Sequence, residues 1–66
     1  MTRFERRALL YAAERLRVAG GRPWRPRLWW LAMDLLPDPW DWGPFVPGGG
    51  WLALADIAES MARSTP

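Results

Sequence analysis

All six glycines and every proline but the last fall in two stretches of this 66-residue chain, 20–26 and 37–50. Proline removes a backbone donor and bars the preceding residue from helical geometry, and glycine destabilises regular structure. The chain is thereby cut into three windows that can hold regular elements. None of the three shows the two-residue alternation of a half-buried strand; each shows apolar residues at helical spacing. The sequence predicts an all-α, small three-helix domain, with helices at about 3–19, 26–36 and 51–63, residues 1–66 forming a single domain.

The first window opens with Thr2 and Glu5, the spacing of a capping box, and closes at Gly20-Gly21, which can take the left-handed conformation at little cost. Phe4, Ala8, Leu9, Tyr11, Ala12, Leu16, Val18 and Ala19 fill about half of its wheel at 100° per residue. Arg3, Arg6, Arg7, Glu14 and Arg17 lie opposite. The second window, Arg-Pro-Arg-Leu-Trp-Trp-Leu-Ala-Met-Asp-Leu-Leu-Pro, is apolar nearly all round, and its Arg27 and Asp34 both oppose the helix dipole. Such a helix needs burial on most sides to exist in water. In the third window Trp51, Leu54, Ala55, Ile57, Ala58, Met61 and Ala62 share a face, and Glu59 and Arg63 form an i,i+4 pair in the favourable orientation.

Residues 37–50 hold Trp40, Trp42, Phe45 and Val46 among four prolines and four glycines. That is too apolar for a solvated linker, so an ordered Pro/Gly/Trp-rich corner folded over the second helix is expected.

Cysteine, histidine and lysine are absent. Disulfides and His- or Cys-based zinc sites are therefore excluded. The hydroxyls Thr2, Tyr11, Ser60, Ser64 and Thr65 sit in no nucleophile motif, and general acid–base work has no imidazole to use. Asp34, Asp38 and Asp41 read as turn and helix-end residues rather than a metal or glycosidase pair, and Gly48-Gly49-Gly50 as a hinge rather than a phosphate loop. A non-enzyme without cofactor or metal is expected.

Charge is distributed unevenly. Residues 1–27 carry eight arginines against two glutamates, a net of +6, while residues 28–66 carry one arginine against five acids, a net of −4. The halves can pair within the fold, or the basic half can face an acidic partner. For nucleic acid the candidates are Arg3, Arg6, Arg7, Arg17, Arg22, Trp24 and Arg25, guanidiniums for phosphates with an indole as stacking face. Membrane-surface contact is a further alternative, since tryptophan beside arginine suits an interface. The longest uncharged apolar run, Leu28 to Met33, is far short of a bilayer span, and Glu14 and Arg15 interrupt the apolar stretch an export signal would need. The expected compartment is the cytoplasm. An arginine-only basic set fits a GC-rich genome and a small bacterial, phage- or mobile-element-encoded protein.

Asp34-Leu35-Leu36-Pro37-Asp38, followed by Gly50-Trp51-Leu52, resembles the Asp-Leu-Ile-Pro-Asp and Gly-Tyr-Leu segments of small YkvA-like, membrane-associated domains. The resemblance covers two short stretches, and no residue role is transferred from it.

Surface area gives the leading functional expectation. Two other helices cannot cover a helix that is apolar all round, and Trp40, Trp42 and Phe45 add to the excess. Exposed Trp and Arg are what binding hot spots are made from. The sequence thus points to a protein-binding adaptor, inhibitor or accessory subunit, or a homo-oligomer, with Trp40, Trp42, Phe45 and Trp30 as contact residues.

Overall fold

The computed structural model describes residues 1–18, 23–37 and 50–64. They form three helices, α1 (Arg3–Val18), α2 (Pro26–Leu35) and α3 (Gly50–Arg63), with no strand among the described residues. The expected all-α three-helix architecture is the one observed. Apart from Pro37 and Gly50, the Pro/Gly/Trp-rich corner lies outside the described residues.

The capping box of α1 forms in both directions. Thr2 N–H donates to Glu5 Oε1 at 2.8 Å, and Glu5 N–H donates to Thr2 Oγ1 at 3.1 Å. Two amides that the first turn would leave unpaired are thus satisfied. At the C-terminal end of α2, Pro37 holds Leu36 extended (φ −78°, ψ 143°), so α2 stops one residue before the expected boundary. The Leu36 N–H still closes the last turn on Ala32 O at 3.0 Å.

Helix α1 is the middle of the structure and packs against both α2 and α3. Its face towards them is built from Ala8, Leu9, Ala12, Ala13 and Leu16. Helix α3 answers with Leu54, Ala55, Ala58 and Ala62, and α2 with Leu28, Trp29, Ala32 and Met33. Small side chains on both α1 and α3 permit a close approach of the two backbones. Leu9, Leu16 and Leu54 are the largest fully buried side chains.

Two residues expected on the buried face of α1 are exposed, Phe4 at 54% and Val18 at 76%. Both lie in the end turns of α1, Phe4 in the first and Val18 in the last. Ala13, outside the expected face, is buried instead.

Part of the charge imbalance is settled inside the fold. Arg17 Nη2 lies 2.6 Å from Asp56 Oδ1 and 3.0 Å from Glu59 Oε2, and Glu59 Oε1 accepts from Arg63 at 3.1 Å. These contacts join the end of α1 to the middle of α3, while Arg6 and Leu10 border the same cleft as Ala62 and Arg63. The two helices therefore run antiparallel. The Arg17 guanidinium, and after it Arg63, holds the Glu59 carboxyl below the usual glutamate range. Hydrogen bonding to Thr2, first through its backbone and then through its side chain, does the same for Glu5.

Two expectations follow. Trp29 and Trp30 are neighbours with opposite environments, 6% and 54% exposed. Thermal or denaturant unfolding of Trp29→Ala should show a loss of about 3–5 kcal/mol, whereas Trp30→Ala should change stability by no more than about 1 kcal/mol. Equal losses would mean that Trp30 is part of the core. Both lowered carboxylates bind protons more weakly in the folded state than in the unfolded chain. Their stabilisation is present above the ordinary glutamate pKa of about 4.3 and is lost as pH falls below it. A series of melting curves should be flat near neutrality and decline on the acid side, and Glu59→Gln should make that decline shallower.

Candidate functional site

The lead-in to α2 is held by a side chain of α1. Arg25 occupies the N-cap position of α2 without a capping side-chain hydrogen bond, and proline opens the first turn. The Trp24 and Arg25 backbone N–H groups, pointing away from the helix, both donate to Tyr11 Oη, at 2.8 and 2.7 Å. One buried phenol thus fixes where α2 begins. Above it the Trp24 ring meets the Tyr11 ring edge-on, with centroids 6.2 Å apart at 66°. The Arg25 guanidinium carbon lies 4.6 Å from the Trp24 ring centroid, a cation–π contact. The indole itself stays 60% exposed.

Beside this stack, α1 and the start of α2 enclose an open cleft of about 460 Å³, lined by Phe4, Arg7, Arg25, Pro26, Arg27 and Leu28. Its lining combines the apolar Phe4, Pro26 and Leu28 with three arginines. A second depression of about 280 Å³ adjoins it through Arg7, Arg25 and Leu28 and is edged by Leu10, Glu14 and Trp24. Among the described residues no carboxylate makes an ion pair with Arg7, Arg25 or Arg27.

The residues singled out from the sequence separate into groups. Trp40, Trp42, Phe45 and Arg22 lie outside the described residues. Trp30 is exposed on α2. Arg7, Trp24 and Arg25 meet at the cleft and the depression beside it, and Arg3 is exposed on the first turn of α1. Arg17 is ion-paired with Asp56 and Glu59, because the antiparallel packing of α3 brings both carboxylates to it. Arg6 is half-buried on the α3 side. The basic face of α1 is thus divided between its two neighbours. Of Asp34, Asp38 and Asp41, Asp34 alone is described, and it is exposed.

Sequence reasoning missed Phe4 and Arg27 as cleft residues and Tyr11 as the anchor of the turn. The Phe4–Arg7 spacing of one helical turn, and Arg27 flanking the same proline as Arg25, were the available signals. The hydroxyl of Tyr11 had none, since its two donors are thirteen and fourteen residues away.

Removing that hydroxyl leaves two amides without their acceptor. Tyr11→Phe, which keeps the ring, should cost about 1–3 kcal/mol in denaturant unfolding. Unchanged stability would show that solvent replaces the phenol at no cost.

No helix among the described residues is long and apolar enough to cross a membrane. Compared with protein-family models, curated proteins and solved structures, the chain gives no match.

Proposed function

We propose that the chain is a non-enzymatic protein-binding module, an adaptor, inhibitor or accessory subunit. The observation that carries this reading is the open cleft in which Phe4, Pro26 and Leu28 meet Arg7, Arg25 and Arg27, with Trp24 exposed beside it. Tryptophan and arginine dominate binding hot spots, because each combines a large contact area with a donor. Trp30, Leu52 and Leu10 add further exposed apolar side chains. Helix α2 in particular turns Trp30 outwards and only half buries Leu31 and Leu35, which also suits self-association.

A second reading is nucleic acid, favoured by the exposure of the Trp24 indole close to Arg7 and Arg25. It has fewer residues to draw on than the sequence suggests. Arg17 is held by two carboxylates, and Glu14 edges the depression that contains Trp24.

The two readings separate on capture from native host extract with a tagged chain. A protein that stays bound at constant stoichiometry after nuclease treatment is the expected result. Retention of nucleic acid alone, removed by nuclease and falling steeply with salt, would transfer the function to the second reading. Light scattering over a concentration series is expected to show association or a bound partner. A monodisperse monomer that captures nothing and binds no apolar dye would remove the module reading.

A further inference from the structure

We propose that the α1–α2 cleft binds an acidic peptide segment of a partner protein, with an aliphatic or aromatic side chain seated on Phe4 and Leu28 and flanking carboxylates on Arg7, Arg25 and Arg27. This names the ligand class of the protein-binding reading and rests on it.

Charge complementarity selects the ligand. The six lining residues include three arginines and no acid. Folding separates two groups of arginine: Arg17 and Arg63 pair with Asp56 and Glu59 on α3, while the three at the cleft meet no carboxylate among the described residues. A carboxylate approaching these arginines gains charge-assisted hydrogen bonds without first breaking an ion pair to a described residue. The apolar lining residues then reward a bulky side chain that a simple polyanion lacks. The cleft volume lies at the lower end of the range for small-molecule pockets, room for one or two such side chains.

The site is also built in advance. Pro26 fixes one backbone angle at the cleft wall. Tyr11 pins the Trp24 and Arg25 amides, and the Trp24 ring holds the Arg25 guanidinium in place. Less freedom is therefore lost when a ligand arrives. The same stack argues against nucleic acid as occupant. The Trp24 ring already carries Arg25 on a face and Tyr11 against it edge-on, so a base finds that platform partly taken. A phosphate track along α1 would also meet Glu14.

Fluorescence anisotropy with a labelled peptide of alternating Asp and Leu tests the proposal. The controls are an Asp/Ser peptide of equal charge and a single-stranded oligothymidylate, all on the full chain at physiological salt. Saturable binding of the Asp/Leu peptide is expected, about tenfold tighter than the Asp/Ser peptide. Arg7→Gln and Arg27→Gln should each weaken it about fivefold. Phe4→Ser, at a half-exposed site, should reduce it by a similar factor, with the helical circular dichroism unchanged. Arg63→Gln, outside the cleft, should leave it as it is. Absence of saturation, equal affinity for the Asp/Ser peptide, or tighter binding of the oligothymidylate would each overturn the proposal. Its failure is distinguishable from failure of the module reading. If Arg7→Gln/Arg27→Gln captures the native protein partner as well as the unaltered chain does, the cleft assignment falls and the module stands. If the unaltered chain captures no protein, the module reading falls.

Discussion

Everything in this domain leans on one helix. Helix α1 takes α2 and α3 on either side of an arc of alanines and leucines, and the structure pairs its other two helices with α1 far more than with each other. For a chain without disulfide or His/Cys metal staples, this sharing is economical: Leu9 and Leu16, on the face that α1 turns to the core, are fully buried. It also has a cost in surface. Among the described elements α2 packs mainly against α1, and this helix with almost no polar face leaves apolar groups outside, Trp30 the largest of them among the described residues. The unfavourable placement of Arg27 and Asp34 in the helix dipole is outweighed by packing against α1, in keeping with the rule that tertiary contacts decide marginal helices.

The elements were legible because the punctuation is local. Thr2 and Glu5, Pro26 as the first residue of α2, and Pro37 beyond its end act on their own neighbours in sequence, and helix boundaries follow from them. The Glu59–Arg63 pair was equally readable for the same reason. The bond of Arg17 to Asp56 and Glu59 was not, because it depends on α3 running antiparallel at one particular register. The site was legible in composition but not in arrangement. Arg7, Trp24 and Arg25 belong to the expected basic and aromatic set, whereas Phe4 was assigned to the core from its place on the wheel. A wheel gives direction without reach: it cannot show that Phe4, in the first turn of α1, stays exposed beside the start of α2.

Electrostatics in this molecule is a matter of allocation. The fold does not neutralise its basic half uniformly. It commits Arg17 and Arg63 to carboxylates of α3 and leaves Arg7, Arg25 and Arg27 exposed around apolar residues. A charge count over the whole chain, +2, hides that asymmetry. The difference between two flanks of a single helix is what gives the surface a direction, and it follows from where Asp56 and Glu59 fall along α3.

The double hydrogen bond to Tyr11 has a consequence for motion. The Trp24 and Arg25 amides have no helical partner of their own and are shielded by an oxygen that belongs to α1. They exchange with solvent hydrogen only when the start of α2 lifts away from that phenol. Their protection therefore measures the free energy of one event, the undocking of α2 from α1. Amides inside either helix report instead on helix fraying or on unfolding of the whole domain. Two adjacent residues of this chain thus carry a native clock for opening of its own cleft.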